Sequence, residues 1–195
     1  SIYRNSPVEV ALPIPGSNGE YVQEVKTDDG NVYICVLFSF LTGKMPDIEN
    51  EQQLIVQFEK IGEIAAHFHE HSIRAWDSFQ KLKRHTWDCE TILGDNPIWG
   101  KWQDGKGMTP ERKQLFQRVA DTIVSRLNRF GKSRDRFGLI HADLRHANLL
   151  VEGDRIKVID FDDSGFSWYL FDLAASLTFI EHKPYVPQLV ESWLK

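Results

Sequence analysis

The stretch 141–163 constrains this chain more than any other. A short loop carrying His141, Asp143, Arg145, His146 and Asn148 runs into the apolar residues Leu149, Leu150 and Val151. Glu152, Gly153 and Asp154 then signal a turn, because Gly and Asp tolerate the backbone angles of a tight reversal. A second alternating run, from Arg155 to Ile159, ends in the carboxylates Asp160, Asp162 and Asp163. The pattern predicts a β-hairpin that brings Asp143 and Asn148, before it, close to Asp160 and Asp162, after it. Oxygen donors gathered in this way suit a hard divalent cation and a phosphate chain.

The rest of the sequence gives this hairpin a globular setting. The chain has 195 residues, 42% of them hydrophobic and 26% charged, which fits a folded core of one large domain or two small ones. A net charge of −5 argues against a nucleic-acid footprint. No apolar run is long enough to span a membrane, and no basic stretch followed by an apolar one, the mark of a signal peptide, is visible. Cys35 and Cys89 cannot build a disulfide scaffold, so a reducing, cytoplasmic setting is expected. The first residue is Ser, and the chain is expected to lack its natural start.

Along the chain, residues 1–19 read as Pro-rich and irregular. Strands are expected over 21–26 and 32–38, joined by a turn at Asp28, Asp29, Gly30 and Asn31. The β-branched and aromatic run 32–38 reads as a strand buried on both faces, with Cys35 an inert part of it. Leu54, Ile55, Phe58, Ile61, Ile64, Ala65 and Phe68 recur at helical spacing, and His67, His69 and His71 end that helix. Residues 74–107 read as short helices and loops containing Trp76, Trp87, Trp99 and Trp102, with Cys89 in a loop. Thr109 and Pro110 start a helix whose stripe, from Leu115 to Leu127, is expected in the core. After Asp163 a loop is expected to about 170, then a helix from Asp172 to Phe179 and another after Pro187.

The chemistry rests on spacing. Phosphoryl transfer needs a group that orients or deprotonates the attacking hydroxyl, and magnesium held by oxygen ligands. The pattern His-x-Asp-x-x-x-x-Asn, followed after a strand by a further Asp, supplies both. Here those residues are His141, Asp143, Asn148 and Asp160. With its hairpin, this segment resembles the catalytic core of the aminoglycoside phosphotransferase and choline kinase-like superfamily, which shares the protein-kinase fold. The resemblance extends more weakly over 32–179. The run Cys35 to Gly43 resembles the last strand and hinge of the N-lobe, Ile64 to His69 the helix ending in a Leu-His pair (Phe68 replaces Leu), Pro97 to Gly100 with the following helix the segment before the catalytic loop, and Phe171 to Ala174 an Asp-Leu-Ala helix start.

The resemblance implies an α+β, protein-kinase-like fold: a partial N-lobe over 1–43 and a mainly helical C-lobe over 44–195, incomplete at its C-terminus. It implies ATP and Mg2+ as cofactors and a small hydroxylated molecule as acceptor, with no nucleic-acid or membrane partner. The oligomeric state stays open. Asp143 would be the catalytic base, Asn148 and Asp160 the magnesium ligands, and Arg145 a cation facing the transferred phosphoryl. Phe38, Ser39 and Phe40 would receive adenine. His141 and Asp172 would support the loop, and Asp162 would be a further metal ligand, a contact to a cationic substrate or a turn carboxylate.

The departures are informative. Asp162 stands where protein kinases have Gly, and the short segment to Asp172 leaves no room for a phosphorylated activation loop. Nothing before Val32 resembles a Gly-rich phosphate loop, a strand Lys or its Glu partner, so a fragment with weakened ATP affinity is expected. Two other functions stay open: a stress-type protein kinase of the same superfamily, and a non-catalytic kinase-like binding module. A metal site at His67 and His71, or at His141, Asp143 and His146, and a tryptophan cage for a quaternary ammonium are secondary readings beside core packing.

Overall fold

In the computed structural model, residues 8–195 are described; the first seven residues of the irregular stretch 1–19 lie outside them. The strands β1 (Glu9–Val10), β2 (Pro13–Ile14), β3 (Gln23–Lys26), β4 (Val32–Cys35) and β5 (Leu37–Phe38) come first. Three helices follow: α1 (Glu51–Arg74), α2 (Trp76–Phe79) and α3 (Cys89–Leu93). Then come α4 (Pro110–Phe130), β6 (Phe137–Ile140), β7 (Leu149–Glu152), β8 (Arg155–Val158), β9 (Gly165–Trp168), α5 (Leu170–Ser176) and α6 (Val186–Trp193). The fold is α+β, with small sheets at the start and a mainly helical remainder.

Helix α1 is the centre of the packing. The Asn50 side chain caps it by accepting from Gln53 N, Glu51 sits in its first turn, and His71 and Arg74 sit in its last. Each placement complements the exposed N–H groups or the helix dipole. Leu54, Phe58, Ile61 and Ala65 recur at helical spacing and are buried. They meet Val8, Val10, Leu144, Leu149, Ile156, Val158, Ile180, Tyr185 and Leu189 in one core. Burying each large apolar side chain stabilises the fold by about 1.5–3 kcal/mol. Gly62 allows α6 to approach closely, since a Cβ there would lie 2.1 Å from Trp193 O.

Two ladders frame the polar segments. The expected hairpin forms between β7 and β8, antiparallel, with Leu149 opposite Val158. β1 adds to β8 as a parallel third strand. β6 pairs antiparallel with β9, with Ile140 opposite Gly165. The loop expected over 163–170 therefore contains a strand, and α5 starts at Leu170 and ends at Ser176.

Several burial expectations are corrected. The run 32–38 divides into β4 and β5, and every residue of both strands is exposed. β4 pairs only with β3, so its apolar side chains face solvent on both sides among the described residues. Cys35 is exposed rather than buried in a strand. The α4 stripe is not core: Ala120 alone is buried, while Leu115, Phe116, Val119 and Ile123 are exposed. Helix periodicity located this apolar face correctly, but among the described residues it is covered only in part, as where Trp102 stacks on Phe116. Cys89 opens α3 instead of lying in a loop. Burial, then the Asp88 carboxylate, pushes its thiol pKa up. Helix α1 continues past His71 to Arg74.

Candidate active site

The two ladders deliver two loops to one place. The first leaves β6 at Ile140 and enters β7 at Leu149; the second leaves β8 at Val158 and enters β9 at Gly165. Because Ile140 faces Gly165 and Leu149 faces Val158, the loops are tied together at both ends. Ile159 N donates to Asn148 O at 3.0 Å and extends one ladder into the site.

His141 links the loops from within. It is 2% exposed, and its Nε2 lies 3.1 Å from Ile159 O while its Nδ1 lies 3.3 Å from Asp143 N. One neutral tautomer satisfies both contacts, with Nε2–H donating to the carbonyl and Nδ1 accepting the amide. Burial lowers the His141 pKa, against the opposing charges of Asp172, Asp143 and Asp160. The ring packs against Phe161 at 4.6 Å and Phe68 at 6.4 Å between centroids.

Asp143 sits where the first loop turns, beside Ala142, whose φ is +70°. Its carboxylate accepts from Asn148 Nδ2 at 2.7 Å and Arg145 Nε at 3.0 Å. Asn148 Nδ2 also donates to Asp143 O at 2.9 Å. With both amide donors engaged, Asn148 Oδ1 is left as an acceptor that takes no hydrogen bond from the described residues. Asp160 is exposed, has φ +65°, and accepts no hydrogen bond from them either. An amide oxygen and a carboxylate, both unengaged, are the donor types a magnesium ion takes. Among the described residues no three His, Cys, Asp or Glu side chains form a metal cluster. The three-ligand site considered at His141, Asp143 and His146 is therefore not formed there, and the pair His67 and His71 gains no third such ligand among the described residues.

Asp172 is fully buried beneath the first loop. Its Oδ1 accepts from Ala142 N at 2.9 Å, and its Oδ2 lies 2.8 Å from His69 Nε2 and 3.4 Å from His141 N. Asp162 is exposed, and its carbonyl accepts from Arg84. Arg145 also lies over the Phe179 ring at 5.9 Å.

The hinge candidates lie further out. Ser39 N donates to Leu12 O at 2.8 Å, and Leu12 N donates to Ser39 Oγ at 2.9 Å, so that amide is engaged within the fold. Phe40 is 91% exposed. Phe38 lines a cavity of about 730 Å³ together with Val10, His71, Arg74, His141 and Phe161. The segment after these residues is bound to the β7–β8 hairpin: Thr42 Oγ1 donates to Glu152 Oε1 at 2.6 Å, and Lys44 and Val151 exchange backbone hydrogen bonds. Lys157, 3% exposed, reaches Thr42, Glu9 and Glu152 at 3.1–3.3 Å.

Two of the tryptophans meet one another and a third meets a phenylalanine. Trp87 stacks on Trp99 at 6.0 Å, and Trp102 stacks on Phe116 at 6.0 Å. Sequence reasoning missed Arg84, the buried Lys157 and the partnership of His69 with Asp172. Arg84 contacts carbonyl oxygens, which have no residue identity, and the other two depend on long-range packing.

Two converging loops, with a carboxylate–amide pair on one and an unengaged carboxylate on the other, thus meet at one face of the fold. Over residues 3–194 the chain matches the phosphotransferase enzyme family, and it belongs to that family. It is 28% identical over 180 residues to amicoumacin kinase of Bacillus subtilis (strain 168), covering 92% of this chain and 50% of that protein. Its structure resembles that of a microcompartment-associated aminopropanol kinase, with a TM-score of 0.83 and 40% identity over 97% of this chain and 58% of that one. The fold also matches an amicoumacin kinase in complex with AMP-PNP, Ca2+ and Ami, with a TM-score of 0.70 and 19% identity over 96% of this chain and 55% of that one. The chain thus spans about half the length of the curated relative it matches. Among the described residues no helix is long and apolar enough to cross a membrane.

Proposed function

We propose that this chain carries the metal- and acceptor-binding part of an ATP-dependent kinase that phosphorylates a hydroxyl of a small molecule. The observation that carries the reading is the pair of loops tied together at both ends, with Asp143 and the unengaged Asn148 amide oxygen on one and the unengaged Asp160 carboxylate on the other. Residues 1–43 would form part of the nucleotide lobe, with Phe38, Ser39 and Phe40 near adenine, and residues 44–195 the catalytic part.

Asp143 orients the acceptor hydroxyl and takes its proton as the phosphoryl moves. Asn148 holds the Asp143 carboxylate through Nδ2 and offers Oδ1 to magnesium, and Asp160 offers its carboxylate. Bound magnesium would neutralise charge on the phosphate oxygens. Arg145, already within 3.0 Å of Asp143, supplies positive charge beside the transferred group. Neutral His141 and buried Asp172 keep the loop in shape. Asp162 is a candidate contact to a cationic substrate.

A small acceptor is favoured because the second loop reaches β9 within a few residues of Asp160, leaving no long activation segment. The 40% identity to an aminopropanol kinase favours an alcohol that also bears an amine. The test is transfer of labelled γ-phosphate by the whole protein to a panel of amino alcohols, hydroxylated amino acids, sugars and aminoglycosides, with a protein extract in parallel. Labelling of a small hydroxyl compound is expected. Labelling of protein alone would contradict the acceptor class, and no transfer at all would favour a binding module.

A further inference from the structure

The segment 84–87 grips the second loop through its main chain. Phe161, Asp162, Asp163 and Ser164 are consecutive, and the carbonyl of each accepts from one of two side chains. Arg84 Nη2 donates to Phe161 O at 3.4 Å and to Asp162 O, and Arg84 Nε donates to Ser164 O at 2.6 Å. Trp87 Nε1 donates to Asp163 O at 2.7 Å. The backbone completes the attachment: Phe166 N donates to His85 O and Trp87 N to Phe166 O, both at 2.8 Å, and Ser167 Oγ donates to Trp87 O at 2.7 Å.

This grip begins one residue after Asp160. Asp160 holds a left-handed φ of +65°, which a non-Gly residue keeps only when its surroundings impose it. Its side chain takes no hydrogen bond from the described residues, so the backbone is what fixes where its Cα–Cβ bond points. Four fixed carbonyls downstream, and the Ile159 N to Asn148 O bond upstream, immobilise the peptide planes on either side. Arg84 suits this work because its planar fork presents several donors at once. Trp87 is buried and stacked on Trp99, so its N–H is fixed in direction.

We infer that Arg84 and Trp87 are positioning residues that aim the Asp160 carboxylate for metal binding. The inference rests on the proposed role of Asp160 as a magnesium ligand. Groups that orient a ligand from behind typically change metal affinity by about tenfold to a hundredfold when removed. Arg84→Ala removes three of the side-chain hydrogen bonds. Arg84→Lys retains the charge without the fork, and Trp87→Phe removes one donor while keeping an aromatic ring.

The test is titration of the full chain with Mn2+ alone, free Mn2+ being read by electron paramagnetic resonance, beside amide hydrogen exchange over 160–166. Arg84→Ala should raise the Mn2+ Kd about tenfold or more and speed exchange in that segment. Arg84→Lys should resemble Arg84→Ala, because charge without the fork does not hold the loop. Trp87→Phe should shift the Kd in the same direction by less; because Trp87 is buried, its thermal midpoint is measured alongside, to separate a loss of fold from a loss of metal affinity. Asp160→Asn should weaken Mn2+ binding in the otherwise intact chain. If it does, and both Arg84→Ala and Trp87→Phe stay within about twofold of the starting Kd, the positioning role is overturned. If Asp160→Asn leaves Mn2+ binding unchanged, the metal assignment fails and takes the inference with it.

Discussion

His69 Nε2 lies 2.8 Å from Asp172 Oδ2, joining the last turns of α1 to α5 directly beneath the loop that carries Asp143. The other Asp172 oxygen accepts from Ala142 N, next to Asp143 in sequence. One buried carboxylate thus couples two helices to the left-handed residue on which the loop turns. Asp172→Ala leaves His69 and the Ala142 amide without partners and should cost about 3–5 kcal/mol of unfolding free energy. Asp172→Asn keeps one acceptor and should cost less. Denaturant unfolding of the two variants checks the order.

His141 predicts a pH dependence with a definite sign. Burial lowers its folded pKa below the unfolded value near 6.5. Above about pH 6.5 both states are neutral there and stability is complete; as pH falls below it, the unfolded chain takes up the proton first and stability declines. Burial and the Arg145 charge shift His146 in the same direction, so both contribute. His141→Asn should reduce the stability lost between pH 7 and 5 without abolishing it, as read by denaturant midpoints across that range.

Asn148 combines a hydrogen bond to Asp143 with a proposed metal contact, and substitutions can separate the two. Asn148→Asp keeps an oxygen for the metal, but sets a second carboxylate where Nδ2 now lies 2.7 Å from Asp143 Oδ2. Two like charges that close raise one of the pKa values. The acid limb of the kcat/KM profile of the whole protein should therefore move to higher pH. An unchanged limb would mean that Asp143 is not the titrating base.

Gly43 ties the hinge segment to the hairpin. Its φ is +137°, and an added Cβ would lie 2.9 Å from Leu150 Cβ and 3.2 Å from Val151 O. Gly43→Ala should cost about 1–3 kcal/mol and speed amide exchange at Lys44 and Val151, which bond to one another.

The legible parts of this fold were the local ones. Leu149 to Asp163 announced a hairpin because alternation and a Glu-Gly-Asp turn act over neighbouring residues. The spacing of Asp143 and Asn148 likewise marked one loop. Burial was less legible: Ile34 and Phe116 carry the apolar signal of core residues, yet are 64% and 48% exposed. An apolar pattern shows which face seeks cover, not what covers it. The strand at 165–168 escaped notice because its partner, β6, lies far back in the chain. Arg84 was silent for a related reason, since its partners are backbone carbonyls.

The most direct test of the account is the turnover of Asp143→Asn in the whole protein, measured with ATP, Mg2+ and an accepted hydroxyl compound. The substitution preserves size and leaves an oxygen facing Arg145, but removes the proposed base. The account predicts a loss of about 10²–10⁴-fold in kcat. Turnover near that of the unmodified protein would contradict it.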